Sequence, residues 1–178
     1  IVHERTDNHV IAEPLEHTAH QLEYIAALLT PPPSLLKVAH NPVASITIDE
    51  PVALAIAKMT EASFSQLPVV SSNGCEAVLT PNTITRWLGA SRDVGIVSID
   101  DTPVREVLAF QEPTECHRFF ASTASIFDVL EAFQVEHAQG RALTAILVTP
   151  SGKSKAALQG IITLSDLPAA YALLTTRG

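Results

Sequence analysis

Cysteine, methionine and tryptophan are scarce in this 178-residue chain, at two, one and one. Cys75 and Cys116 stand far apart with no CxxC spacing, so neither a disulfide framework nor a zinc site is suggested. That fits a reducing cytoplasm. Basic residues are also short, 11 against 19 acidic ones, for a net charge of −8. Broad nucleic-acid binding relies on Lys and Arg to neutralise phosphates, and this balance argues against it. One anionic ligand in a local pocket stays open, because helix N-termini supply a favourable field. No apolar run approaches the roughly 18 residues of a membrane helix, so no membrane partner is expected. Ile1-Val2-His3-Glu4-Arg5 is charged where a signal peptide would be apolar. With no initiator Met, the chain reads as an excised fragment with a partner domain missing upstream.

Catalytic signatures are missing too. There is no GxSxG, P-loop or HExxH, and no Ser/Cys–His pair with an orienting group. Cys116 and His117 read as edge or core residues. No catalytic residue and no metal ligand is assigned, and the chain is not expected to be an enzyme. His17 and His20, beside Glu13, Glu16 and Glu23, read as the solvated side of an amphipathic helix.

What is present is apolar periodicity, with 47% hydrophobic residues and a mean hydropathy of +0.24. Pro14 opens a helix that Pro31-Pro32-Pro33 must end. A short helix over 34–39 leads to the strand Ala44–Ile48. Asp49 then reads as the N-cap of a helix with Pro51 inside it and Val52, Ile56 and Met59 buried. Leu67–Val70 and Glu76–Leu79 form a hairpin across Ser71-Ser72-Asn73-Gly74, and a helix bearing Trp87 and Leu88 follows. From Asp101 the order repeats. Asp101 or Thr102 caps a short helix around Pro103, and Arg118–Ala121 is a strand. Ser122 or Thr123 caps a helix burying Ile126, Leu130 and Phe133. The strands Leu143–Val148 and Leu158–Ile162 and a helix with Leu167, Tyr171 and Leu174 complete it.

The halves superimpose by offset. Val52, Ile56 and Met59 match Ile126, Leu130 and Phe133 at +74, Leu67 matches Leu143 at +76, and Thr80 matches Thr163 at +83. The shift grows only in loops, as a structural duplication requires. The expected fold is α/β (α+β), two β-α-β-β-α repeats packed by pseudo-two-fold symmetry behind an N-terminal helical segment. The expected divisions are 1–33 for that segment and the Pro linker, 34–90 and 102–178 for the repeats, and 91–101 for the connector.

Each repeat carries one polar turn after its last strand. In the second, Gly160-Ile161-Ile162-Thr163-Leu164-Ser165-Asp166 puts a hydroxyl and a carboxylate at a helix start. These read either as an ordinary helix cap or as a site where the carboxylate accepts from both hydroxyls of a diol. In the first repeat Thr80, Asn82 and Thr83 stand in the same places, so the diol acceptor is gone.

The duplicated order, the Gln66-Leu67-Pro68-Val69-Val70 strand and the Gly160–Asp166 turn resemble a tandem pair of cystathionine-β-synthase (CBS) domains over about 34–176. The start of the chain resembles a segment that precedes such pairs in larger bacterial proteins. The resemblance implies a regulatory module that binds an adenine nucleotide (AMP, ADP or ATP) in the inter-repeat cleft and controls an attached domain. It requires no cofactor. It implies ligand contacts at Thr163, Leu164, Ser165 and Asp166, with an adenine slot of Phe119, Phe120, Ala121, Ala142, Leu143 and Thr144. A second, incomplete site falls at Ile46, Thr47, Gln66, Leu67, Thr80, Asn82 and Thr83. Phosphate partners are sought among Arg86, Arg118, Arg141, Lys153 and Lys155. The competing readings are a ligand-free assembly module, a homodimer through the helices of Met59, Trp87, Phe133 and Tyr171, and the regulatory half of an enzyme whose active site lies upstream of Ile1.

Overall fold

In a computed structural model, residues 18–22, 25, 32–91 and 97–175 are described. His17, the start of the chain and residues 92–96 of the connector lie outside them, while His20 is described and exposed. The first half contains β1 (Ile46–Thr47), α1 (Val52–Glu61), β2 (Leu67–Ser71), β3 (Gly74–Leu79) and α2 (Pro81–Ser91). The second contains α3 (Val104–Leu108), β4 (Glu115–Ala121), α4 (Ile126–Ala138), β5 (Ala142–Thr149), β6 (Gly160–Ile162) and α5 (Leu167–Thr175). Tight 3-10 turns occupy Leu35–Lys37 and Leu164–Asp166.

The strands form two sheets, β1-β2-β3 and β4-β5-β6, each with one parallel and one antiparallel pairing. Central β5 is buried from Ala145 to Thr149, the near-continuous apolar run expected where both faces are covered. Pro68 is tolerated in central β2 because β1 runs beside Val69 and Val70 only, leaving Pro68 outside that ladder. Between the sheets lies a shared apolar layer of Cys75, Val78, Ala145, Leu147 and Ile161. Burial there pushes the Cys75 thiol up to about 11.

The two outer cores are built by exchange. Val104 and Val107 of α3 are fully buried among Ile46, Val52, Leu67 and Trp87 of the first half. Leu35, at the very start of the first repeat, is fully buried among Val129, Phe133, Ile146 and Ile162 of the second. Backbone bonds follow the same exchange. Val52 N–H donates to Thr102, Val104 N–H to Glu50, Leu35 N–H to Ala124 and Ile126 N–H to Pro33.

This exchange corrects the expected caps. α1 starts after Pro51 with no side-chain cap, its first N–H groups taken by the carbonyls of Thr102 and Ile99. Asp49 instead pairs with Arg105. α3 starts after Pro103, likewise uncapped by a side chain. On α4 the cap is Ser125, in a capping box with Asp128, rather than Ser122 or Thr123. No helix among the described residues is long and apolar enough to cross a membrane.

Candidate functional site

Thr163, Ser165 and Asp166 lie on the turn between β6 and α5, and they line a cleft of about 300 Å³. Its other walls come mainly from the first half: His40, Pro42 and Ala44 on the approach to β1, and Ala62, Ser63, Phe64, Ser65 and Gln66 between α1 and β2. The cleft is therefore an inter-repeat feature. Sequence reasoning missed these walls, except Gln66. The backbone brings them there: His40 and Ile161 exchange hydrogen bonds of 2.9 and 3.2 Å. Gly160 permits the approach, since a Cβ there would lie 2.8 Å from the Ala39 Cβ.

Asp166 has an 11% exposed side chain and serves as the cap read from the sequence. Its Oδ2 accepts from the Thr163 N–H at 2.7 Å and from the Thr163 hydroxyl at 3.0 Å, which is a helix cap. Its Oδ1 accepts from His40 Nε2 at 2.7 Å. Leu164 points outward, 66% exposed, and does not line the cleft.

The expected adenine slot does not form at this cleft. Phe119 packs at the inter-sheet layer, while Phe120 and Leu143 pack in the second core. The Thr144 hydroxyl donates to the Cys116 carbonyl at 2.9 Å. Ala121 ends β4, paired with Thr149, and Ala142 pairs with Glu115. The apolar wall beside Asp166 is instead Phe64, Ala62, Pro42, Ala44 and Ile161.

The expected phosphate partners are also engaged elsewhere. Arg118 and Arg141 both bind the Glu136 carboxylate, whose side chain is 2% exposed. The Arg141 hydrogen bond, opposed by burial and aided by Arg118, holds that carboxyl below its ordinary value. Arg86 donates to the Phe110 carbonyl. Neither Lys153 nor Lys155 lines the cleft, and among the described residues no Lys or Arg does.

The counterpart turn is differently set. Ile46 pairs with Val69 and His117 with Ala145, so the approach to β1 maps onto the approach to β4 at a shift of 71. Ala44 then corresponds to Glu115, and Pro42 to Pro113. Glu115 accepts from Asn82 at 2.8 Å, and from Thr80 and Thr83 at 3.3 and 3.4 Å. Glu112 also accepts from Asn82, at 3.0 Å. The first turn lacks its own acid, and the second half supplies one across the interface. Of the remaining expected residues, Ile46 and Leu67 are buried in the first core, and the Thr47 N–H donates to Glu50.

On the helices expected to carry a dimer contact, Met59, Trp87 and Phe133 are buried in the cores and Tyr171 is exposed. Cys116 lies beside Glu136 on edge strand β4, its thiol pushed up by burial and by that carboxylate. His117 stacks edge-on against Phe119. No group of three or more potential metal ligands occurs among the described residues.

Comparison with known proteins agrees with this geometry. Residues 36–90 match the family model described as CBS domain. No curated protein matches the sequence. Among solved structures, the CBS domain of a membrane protein from Sphaerobacter thermophilus is similar at TM-score 0.60 and 19% identity. That likeness covers 86% of this chain and 97% of the other. A CBS domain-containing protein from Kribbella flavida is similar at TM-score 0.53 and 18% identity, over 79% of this chain and 98% of that one. The CBS domain of a bacterial CNNM/CorC family Mg2+ transporter, solved with ATP, is similar at TM-score 0.53 and 12% identity, over 86% and 97%. Residues 36–90 thus match a CBS domain, and both halves together share the fold of solved CBS-domain structures, the architecture of a tandem pair.

Proposed function

We propose that the chain is a regulatory module that takes an adenine nucleotide in the inter-repeat cleft and conveys its occupancy to an attached or partner domain. The observation that carries this is the Asp166 carboxylate, nearly buried at a cleft whose opposite wall belongs to the other repeat. A ligand held there touches both repeats, so tighter binding to one arrangement of them biases that arrangement. The transporter domain solved with ATP supports the ligand class. Phe64, Ala62, Pro42 and Ala44 offer the apolar surface for the base, and Thr163, Ser165 and Asp166 the polar contacts for the ribose.

The charge inventory ranks the ligands. With no Lys or Arg among the described residues on the cleft, added phosphates gain no counter-charge there, and AMP or adenosine is expected to bind better than ATP. Calorimetry with AMP, ADP and ATP tests this, and ATP bound tenfold tighter than AMP would overturn the ranking. Asp166→Ala is expected to remove nucleotide-induced thermal stabilisation; unchanged affinity in that variant would sink the nucleotide reading.

The assembly reading has one observation in its favour. Ile56, Met59, Thr60, Phe64, Pro81, Ile84, Thr85 and Leu88 line an open apolar groove between α1 and α2. Sedimentation with and without nucleotide separates the two readings.

A further inference from the structure

We infer that His40 is a specificity-determining residue for the nucleotide reading above, one that withholds a hydrogen-bonding position on Asp166 from the incoming sugar. An ionised carboxylate has about four acceptor positions, two on each oxygen. On Asp166, Oδ2 already receives both the N–H and the hydroxyl of Thr163. Oδ1 receives His40 Nε2 at 2.7 Å, which leaves one position. A ribose diol needs two. Since the carboxylate only accepts, Nε2 is the nitrogen that carries the hydrogen.

The two sets of contacts differ in how easily they yield. Thr163 is part of the same turn as Asp166, and its bonds cap the 3-10 turn that leads into α5. His40 reaches in from the other end of the chain, and its side chain is 64% exposed. Its backbone is pinned by the paired bonds to Ile161, so the imidazole can swing away while the main chain stays in place. Bidentate capture of a diol therefore requires His40 to leave Oδ1. With His40 in place, Asp166 holds one hydroxyl, and discrimination between ribose and deoxyribose is blunted.

The test is calorimetry of AMP, 2′-deoxyAMP and 3′-deoxyAMP on the wild-type chain, His40→Ala and His40→Gln. His40→Ala is expected to bind AMP about threefold tighter, the scale of releasing one half-exposed charged contact. The deoxy ligands are expected to gain little, so the ratio of AMP to 2′-deoxyAMP affinity rises by a similar factor. His40→Gln keeps an N–H donor and is expected to stay near wild type. AMP bound with an Asp166-dependent affinity that His40→Ala leaves unchanged or weakens overturns this inference alone. Absence of binding to every variant overturns the nucleotide reading and this inference with it.

Discussion

Glu136 shows how one side chain sets the chemistry around it. A carboxylate on a buried helix face is tolerable because Arg118 and Arg141 bind it from β4 and the start of β5. The same pairing removes two cations from the pool available to a phosphate. Its carboxyl titrates below the ordinary value, the Arg141 hydrogen bond being the first cause. The unfolded chain therefore takes up this proton at higher pH than the folded one. The pair's stability is full above the unfolded value, about 4.3, and is lost as pH falls through the lower folded value. Glu136→Gln is expected to cost about 2 kcal/mol at pH 7, read as a lower Tm, and the gap to wild type should narrow on acidification below pH 4. A gap that is constant with pH would show that the carboxylate's charge contributes nothing.

Among elements, the two turns illustrate one motif in two settings. The turn before α5 keeps its acid, and that acid caps its own helix. The turn before α2 has Thr83 there, fully buried, and borrows Glu115 from β4. Thr80 and Thr83 also bond each other at 3.1 Å, so removing Glu115 does not leave both hydroxyls without partners. Glu115→Ala is therefore expected to cost about 1 kcal/mol and to speed amide exchange at the start of α2. Exchange there equal to wild type would count against a tie between the halves at this point. Gly74 marks another such tie: its φ of +109° suits glycine, and the Ser154 carbonyl leaves no room for a Cβ. The long β5–β6 loop thus packs on the first repeat, with Cys75 N–H donating to Ser154 at 2.9 Å.

For the whole molecule, the exchange of short segments makes the halves depend on each other. Leu35 opens the first repeat in sequence but is fully buried in the core of the second. Leu35→Ala is expected to cost about 3 kcal/mol, the range for a buried leucine that leaves a cavity. Hydrogen exchange should rise first in α4 and β4–β6 and less in β1–β3. A rise centred on β1–β3 would contradict the exchanged packing. In the proposed function, such interlocking lets a ligand in the cleft act on both halves, because both walls are anchored in cores that each contain a piece of the other half.

The order of strands and helices, the duplication and the asymmetry between Asp166 and Thr83 were legible in the sequence alone. Period, turn chemistry and residue type are local properties, and they survive without coordinates. The caps were misread where tertiary contacts overrode them: carbonyls of Thr102 and Ile99 do for α1 what Asp49 was expected to do. The walls of the cleft and the partners of its charges were not legible. Phe64, His40 and Asp166 meet only because segments far apart in sequence are pinned together by the His40–Ile161 bonds beside Gly160. Likewise, nothing in the spacing of Arg118, Glu136 and Arg141 says that the two guanidinium groups are spent on one buried carboxylate. The sequence by itself determined which side chains can accept a diol; the tertiary structure decided which of their oxygens are already occupied.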